Sequence, residues 1–453
     1  MAHRRLSAVC VVAVAASTLA TLASPNPAAA VDEAWGPLQE AGGSTLAIAL
    51  DDRTTALVSV GGPDDATIYE QRRAAAGTVG PTTPVMTVAG AASCRPVEAA
   101  TELSNFAVAV ECQTKTGLED PPTKLVELVW TGDDGWVWKV QADGELGSLD
   151  YSPRGQFVVF TSNSEYGRAH HVTSYHADLG WRDLKRRELG LTGDNLIAAI
   201  NDGGNVVALR GAGSEDEPGY WFGGRLRIET YKATAGKWTR QFARDFPDGG
   251  IDPSGLDLSA GRIVATFVES RSTGQLNGLA DRVVVLSGTP SNPRVWSSPR
   301  WTRQVLTASA AITQAGVGVV AWQAVHDRRT AKSWFATWAP KHGQPSVSDL
   351  KWSTTLTDAA ASGLAMDLSV SANGHGAIAY VRHRAGADYS TVAGASFRVG
   401  RNGGLRDQVD ATWQQPVEVT VDATAAATAT SITLGQMTGP FVLSPMTQYS
   451  LGP

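Results

Sequence analysis

The chain has 453 residues, a formal net charge of −6, 43% hydrophobic residues and only 18% charged residues. This composition argues against a disordered chain and against a protein with many membrane spans. The acidic balance argues against a protein that wraps nucleic acid, which needs a basic surface. Glycine (47 residues) and tryptophan (14 residues) are abundant, which indicates many turns between short strands.

The first 30 residues have the order of a secretory signal peptide. Arg4 and Arg5 precede an apolar run from Leu6 to Ala23, and the small residues of a cleavage site follow at 28–30. The run is short and contains serine and threonine, which favours cleavage over an uncleaved membrane anchor. We therefore expect a bacterial, Sec-type exported protein that loses residues 1–30, has no later membrane span and works outside the cell.

A turn followed by an apolar run repeats along the mature chain. The turn glycines are separated by 49, 57, 55 and 58 residues, and weaker copies of the unit occur at 48–60 and 101–110. The five glycines are Gly155, Gly204, Gly261, Gly316 and Gly374. The runs alternate with a period of two and no helical period occurs, so they predict strands.

A second repeated element begins with tryptophan and also alternates like a strand. With a third run between the two elements, each unit of 50–60 residues predicts four antiparallel strands, which is the content of one propeller blade. A tryptophan on an outer strand covers the seam between neighbouring blades, so we expect these side chains to pack rather than to bind sugars. They are Trp136, Trp181, Trp238, Trp301, Trp352 and Trp413.

These turns and tryptophan strands resemble those of secreted bacterial β-propeller proteins over roughly residues 35–420. The resemblance implies an all-β propeller of four-stranded antiparallel blades, but no particular activity, because such blades carry many. The chain has neither the Asp-box of sialidases nor the signature pairs of WD40 blades.

The seven turn-plus-strand units that can be counted favour seven blades, with eight as the alternative. We expect the propeller to span residues 31–422 and residues 423–453 to form a tail or the strands of an extra blade. Propellers seal their ring by pairing the two ends of the chain, which removes an open sheet edge. The segment Trp35–Gly42 is therefore expected to complete the blade that contains Trp413.

Cys94 and Cys112 are the two cysteines left after the expected cleavage. In an exported chain such a pair predicts one disulfide rather than two buried thiols. We expect the bond to link the end of one repeat unit to a strand of the next. Two cysteines alone do not build a zinc site, and no metal or cofactor is predicted.

Histidines are the first candidates for a catalytic or metal-binding role. His170, His171 and His176 are close in sequence, but alternation on a strand would separate them, and no calcium-loop motif occurs. A serine-hydrolase elbow is also missing from the sequence.

A glycosidase needs two neighbouring carboxylates. Asp150, Asp257 and Asp367 lie on strands that would line the central channel, but at different distances from their turn glycines. Hydrogen bonds to neighbouring turns or strands are therefore the favoured role for them, and no catalytic residue is predicted.

The long connections between second and third strands concentrate histidine, arginine and tyrosine, and loops on a rigid scaffold carry function. Arg328 and Arg382 occupy matching places in consecutive units and are expected to converge on one anionic group. The predicted ligand contacts are Tyr166, His170, His171, His326, Arg328, Arg382, His383 and Tyr389.

Two function classes follow from these observations. The favoured one is a secreted, monomeric binding or interaction protein whose extracellular ligand is not identified by the sequence, with a glycan, which could be anionic, a cell-wall component and a protein as the candidates. The alternative is an exported glycosidase or lyase that acts on a polysaccharide. Carboxylates that converge at the channel mouth would favour the enzyme, and small apolar or amide groups there would favour binding.

Overall fold

The computed structural model describes most of the chain from residue 39 onward. The expected signal peptide and Trp35 lie outside the described residues. The described residues are 39–41, 45–51, 54–74, 78–115, 122–132, 135–142, 144–163, 170–184, 195–217, 220–246, 249–272, 279–298, 302, 304–325, 330–342, 350–357, 366–383, 389–416, 421–427, 432–438 and 446–450.

The described strands form eight four-stranded antiparallel sheets. Sheet 1 contains β2 (Thr45–Ala49), β3 (Thr55–Gly61), β4 (Thr67–Arg73) and β5 (Val79–Thr87). Sheet 2 contains β6 (Ala91–Glu102), β7 (Asn105–Thr114), β8 (Thr123–Trp130) and β9 (Trp136–Gln141). Sheet 3 contains β10 (Glu145–Tyr151), β11 (Phe157–Asn163), β12 (His170–His176) and β13 (Gly180–Asp183). Sheet 4 contains β14 (Asn195–Ile200), β15 (Val206–Glu217), β16 (Tyr220–Lys232) and β17 (Lys237–Phe246).

The second half of the chain continues the same pattern. Sheet 5 contains β18 (Gly249–Ser259), β19 (Arg262–Ser272), β20 (Leu279–Thr289) and β21 (Asn292–Ser297). Sheet 6 contains β22 (Gln304–Ile312), β23 (Gly318–Val325), β24 (Thr330–Trp338) and β25 (Leu350–Thr357). Sheet 7 contains β26 (Met366–Val370), β27 (His375–His383), β28 (Tyr389–Val399) and β29 (Leu405–Pro416). Sheet 8 contains β30 (Val421–Ala427), β31 (Ile432–Thr438), β32 (Met446–Ser450) and the N-terminal strand β1 (Gln39–Ala41).

The sheets follow one another in a ring. The first strand of each sheet contacts the first strand of the next, in the order β2, β6, β10, β14, β18, β22, β26 and β30, and β30 returns to β2. This is the arrangement of a β-propeller, with the first strands around a central channel. The described strands form one sheet more than the favoured seven. The helices among the described residues are two single 3-10 turns, at Pro63–Asp65 and Pro340–His342.

The two ends of the chain meet in sheet 8, where β1 pairs with β32 in the register Gln39↔Gln448 to Ala41↔Met446. The expected pairing of an N-terminal strand with the chain end is therefore present, but the prediction of the sheet that it completes was wrong. Trp413 lies on β29 in sheet 7, whereas β1 completes sheet 8. The reason is that three more strands follow Trp413, so the ring closes one sheet later.

The short turns after the first strands have the conformation that the sequence repeat predicts. Gly155 has φ +65° and donates its N–H to the Ser152 carbonyl at 2.8 Å. The Ser152 hydroxyl oxygen accepts hydrogen bonds from the N–H groups of Gln156 and Phe157. A positive φ is readily adopted only by glycine, which explains why glycine recurs at this position.

Cys94 and Cys112 form a disulfide with an S–S distance of 2.08 Å, as predicted. The two residues face each other on β6 and β7, so the bond links two strands of sheet 2. The expectation that it joins two units was wrong, because Cys94 belongs to the first strand of its sheet rather than to the last strand of the preceding one.

The apolar side chains pack in the seams between sheets, and tryptophans contribute there as predicted. Trp136 packs against the rings of Phe106 and Trp130. Trp181 packs against Tyr175 at the seam of sheets 2 and 3, and Trp238 packs against Tyr231 near the seam of sheets 3 and 4. Each indole buries a large apolar area, which stabilises the ring by a few kcal/mol at about 25 cal/mol per Å². The side chains of Trp301, Trp352 and Trp413 lie outside the described part of the structure.

Candidate functional site

A cavity of about 200 Å³ lies at the centre of the ring, lined by the first strands of sheets 2 to 7. Most of the lining residues come from the second half of a first strand, and Pro153 and Ala372 of the short turns complete the wall. The cavity therefore occupies the end of the channel that faces the short turns, opposite the connections between second and third strands.

The first strands approach one another closely where they line this cavity. A Cβ atom built on Gly147 would lie 2.5 Å from the Leu196 carbonyl oxygen, and one on Gly255 would lie 2.7 Å from the Ala310 nitrogen. Glycine is required at both places because the neighbouring backbone leaves no space for a side chain. The close approach holds the flanking side chains in the cavity wall.

Five carboxyl groups line the cavity, and its described lining contains no lysine, arginine or histidine. They belong to Glu98, Glu102, Asp150, Asp257 and Asp367. The sequence had singled out the three aspartates, but their unequal distances from the turn glycines argued against a shared face. Asp150 and Asp257 each lie two residues before the serine that closes their strand, and Asp367 lies four residues before its serine. Because these spacings are all even, alternation along the strands places the three aspartates on the same face.

The two glutamates were missed by the sequence reasoning. They are four residues apart on β6, an even spacing that gives them the same face. The available signal was the Glu-x-x-x-Glu spacing at the end of a first strand.

Most of these carboxyl groups bond to backbone amides. Asp150 Oδ2 accepts a hydrogen bond from the N–H of Ile200 at 2.9 Å, and Asp257 Oδ2 accepts one from the N–H of Ile312 at 2.7 Å. Both amides belong to the first strand of the following sheet. Asp367 accepts a bond from its neighbour Leu368 at 2.9 Å. The bonds of Asp150 and Asp257 to a neighbouring strand have the role that the sequence favoured for the aspartates, whereas the bond of Asp367 stays within its own strand.

Glu102 differs from the other four carboxyl groups. It is the last residue of β6, it is half-buried, and within the described part of the chain its carboxyl has no hydrogen-bond partner. Burial raises the pKa of Glu102 to about 8, and the nearby charges of Asp51, Asp257 and Asp202 act in the same direction. Glu102 is therefore largely protonated at neutral pH and can donate a hydrogen bond as well as accept one.

Burial also raises the pKa values of the other carboxyl groups for which a shift is resolved. It raises the pKa of Asp257 to about 6, although bonds from the N–H groups of Ile312 and Leu258 act against it. The pKa values of Glu98 and Asp150 lie well above their ordinary range, first because of burial and then because of Asp367 and Asp257 respectively. Neighbouring carboxyl groups thus hold protons at different pH values.

The predicted ligand residues lie elsewhere. His170 and His171 begin β12, opposite Asn163 and Ser162 on β11, and the side chain of His171 is exposed. Arg382 and His383 end β27, and Tyr389 begins β28. These positions flank second-to-third-strand connections, so they belong to the opposite end of the channel from the cavity.

The remaining predicted contacts, Tyr166, His326 and Arg328, lie outside the described residues. The convergence of Arg328 and Arg382 on an anionic group therefore stays a prediction. His176, the third histidine considered for metal binding, packs against Phe157 with ring centroids 4.3 Å apart. Among the described residues, no group of three or more histidine, cysteine, aspartate or glutamate side chains is arranged to hold a metal ion.

No family model and no curated protein matches the chain. A structure of a puromycin hydrolase variant aligns at 14% identity and a TM-score of 0.40, over 77% of this chain and 52% of the other, so the chain spans about half of that protein. Aleuria aurantia lectin in complex with Fucalpha1-6GlcNAc aligns at 14% identity and 0.38, over 69% and 94% of the two chains. A PL25 ulvan lyase aligns at 9% identity and 0.39, over 90% and 93%.

Similarities this remote carry no function to the present chain. The site must therefore be interpreted from its own chemistry.

Within the described residues, no helix combines the length and the apolar character needed to cross a bilayer.

Proposed function

We propose that this protein is a secreted β-propeller binding protein that takes a glycan into the acidic cavity at the short-turn end of the channel. The observation that carries the proposal is the convergence of five carboxyl groups in one cavity about 200 Å³ in volume. Carboxyl groups are strong acceptors for sugar hydroxyl groups, and a protonated carboxyl such as Glu102 can also donate.

The remainder of the cavity wall also suits a sugar. Ser254 and Ser309 lie among the lining residues, together with Leu149, Leu256 and Leu368, and the Ser254 hydroxyl is already bonded to Thr266 at 3.1 Å. A wall of this kind offers polar groups to the hydroxyls of a sugar ring and apolar contacts to its C–H faces.

The charge of the cavity favours a neutral or amino-bearing glycan over an anionic one. At neutral pH some of these carboxyl groups hold their protons, but an anionic sugar would still find no cation among the described lining residues to pair with its charge. The anionic ligand predicted from Arg328 and Arg382 would belong to the long-connection end, and the two proposals therefore name different ends of one channel.

A glycan screen followed by affinity measurements on matched variants distinguishes these ends. Glu102→Ala should weaken binding of the selected glycan about tenfold or more, because it removes a partly desolvated polar contact. The matched control Arg382→Ala, with its partner Arg328→Ala, should bind as the parent does. A loss of affinity confined to the arginine variants would overturn the cavity proposal and support the anionic site.

A second candidate is an exported enzyme acting on polysaccharide, the class that converging carboxyl groups were expected to favour. Glu102 and Asp257 hold protons with pKa values of about 8 and about 6, and acid–base pairs in glycoside hydrolysis need such separated values. Against this role, both oxygens of Asp257 already accept backbone N–H groups, at 2.6 and 2.7 Å. Release of reducing ends or unsaturated sugars from the selected glycan, lost in Glu102→Ala, would establish the enzyme.

A further inference from the structure

One seam of the ring contains a buried carboxyl group away from the cavity. Glu127 lies on β8 between Leu125 and Val129, which pack in the apolar cluster between sheets 2 and 3. Alternation along the strand turns all three side chains toward sheet 3. Only 1% of Glu127 is exposed, so a titratable group lies buried beside the apolar side chains of this seam.

The two oxygens of this carboxyl group are in different situations. Oε1 accepts a hydrogen bond from the Thr173 hydroxyl of sheet 3 at 2.7 Å and one from Gln141 Nε2 at 3.3 Å. Oε2 is buried and has no hydrogen-bond partner among the described residues, and neither has Nε1 of Trp181 in the same seam. An ionised carboxylate with one oxygen unbonded is disfavoured at such a depth, whereas a neutral carboxyl tolerates it better.

The charged groups that face Glu127 are already engaged or lie at the rim. Lys139 of β9 forms an ion pair with Asp183 of β13, which links the same two sheets nearer the solvent. Arg95 of β6 and Glu111 of β7 form another pair along the seam, with an N–O distance of 2.8 Å. His171, on the same face of β12 as Thr173, is exposed. None of the bonds described from these groups reaches the carboxyl of Glu127.

We propose that the seam between sheets 2 and 3 is a pH-dependent joint, closed tightly while Glu127 is protonated and loosened when Glu127 ionises. Thr173 makes the bond across the seam in either state, but the ionised form leaves a charge buried among Leu125, Val129 and Tyr175. Opening the seam brings water to that charge and thereby relieves the cost of burying it.

The pH range in which the joint loosens follows from the ordinary pKa of a glutamate and the pKa of Glu127 in the folded protein. Burial raises the pKa of Glu127 to about 7, although bonds from Thr173 and Gln141 and the charge of Lys139 act against it. The folded protein therefore holds this proton more tightly than the unfolded chain. The stability gained is complete below about pH 4.5 and is lost as the pH rises through about 7.

Glu127→Gln tests the proposal, because glutamine keeps the shape and the acceptor but does not titrate. Melting temperature and amide hydrogen exchange should be measured for the parent and the variant at pH 5 and pH 8.5. The drop in melting temperature between these pH values should be smaller in the variant by several degrees. At pH 8.5, the amides of β8 and β12 should exchange about tenfold or more slowly in the variant than in the parent.

A second variant keeps the test decisive if glutamine packs poorly. Thr173→Val leaves Glu127 in place but removes its best donor, so the loss of stability should move to higher pH. Equal drops in melting temperature for the parent and Glu127→Gln would overturn the proposal, even if the variant is less stable at both pH values. Slower exchange spread over all sheets, rather than confined to sheets 2 and 3, would overturn it as well.

Discussion

The carboxyl groups at the centre of the ring differ in whether the backbone of a neighbouring sheet uses them. Asp150 and Asp257 accept hydrogen bonds of 2.9 and 2.7 Å from backbone amides of the next sheet. These bonds help to hold the ring together. Glu102 lies beside them without such a bond among the described residues, half-buried at the end of its strand. A group that the scaffold does not use is available to a ligand, which is why the proposed function depends on Glu102 most directly.

The titration of Glu102 should affect stability in a defined direction. Its pKa of about 8 in the folded protein exceeds the ordinary value of 4.5, so its stabilising contribution is complete below about pH 4.5 and is lost as the pH rises through about 8. Glu102→Gln should therefore be as stable as the parent near pH 4.5 and more stable at pH 8.5, by about 1–3 kcal/mol after allowance for solvent screening. Urea unfolding at both pH values measures this, and parallel pH profiles would contradict it.

Two tryptophans two residues apart on β9 should respond differently to the same substitution. Trp136 donates its indole N–H to Glu70 at 2.7 Å and packs against Phe106, whereas Trp138 is 47% exposed. Trp136→Phe should cost about 1–3 kcal/mol of unfolding free energy, because a buried acceptor loses its donor. Trp138→Phe is the matched control and should stay within about 0.5 kcal/mol of the parent. Equal losses in urea unfolding would show that Trp136 does not contribute through these contacts.

At the scale of strands and sheets, the sequence predicts what local chemistry determines. Gly155 and its counterparts mark the short turns because of their positive φ, and the tryptophans mark outer strands because of their size. The closing sheet was harder to predict because β30, with the sequence VDATAAA, carries neither a turn glycine nor a large apolar residue. Its pairing depends on strands at both ends of the chain, which no local pattern records.

The candidate site was predictable only in part for a related reason. Asp150, Asp257 and Asp367 could be located on first strands, but their common face depends on strand ends that differ in turn length. The channel end that holds the cavity depends on how tightly the first strands approach one another. That approach is set by contacts such as Gly255 against Ala310, between residues 55 positions apart in the sequence.

The close approach of the first strands can be tested at Gly255. Gly255→Ala should cost about 1–3 kcal/mol, because the new methyl group would lie 2.7 Å from the Ala310 nitrogen. Gly61→Ala is the control, since its Cβ would meet only Tyr69 at an ordinary 3.6 Å. Urea unfolding of both variants gives the comparison, and a tolerated alanine at Gly255 would mean that the strands can separate without cost.

At the scale of the whole molecule, the ring depends on both ends of the chain. Sheet 8 takes one strand from the N-terminal segment and three from the C-terminal segment, so neither end alone completes it. An open ring would expose the edge of β32 and separate the first strands of sheets 8 and 1.

Removal of the closing strand should therefore lower the stability of the entire ring. A chain beginning after Ala41 should melt several degrees below a control chain beginning at Ala34, which keeps Gln39–Ala41 paired with Met446–Gln448. Differential scanning calorimetry measures the difference. Identical melting temperatures would mean that β1 does not seal the ring.

Carboxyl footprinting tests the central claim, that the acidic cavity receives the ligand. The protein would be labelled with a carbodiimide and an amine, with and without the glycan selected by the screen, and the modified residues would be identified by mass spectrometry. The glycan should protect Glu102 from labelling, while labelling of Asp183, an exposed carboxylate away from the cavity, should not change. Unchanged labelling of Glu102 at saturating glycan, with binding abolished by Arg328→Ala and Arg382→Ala, would place the ligand at the other end of the channel and contradict the account.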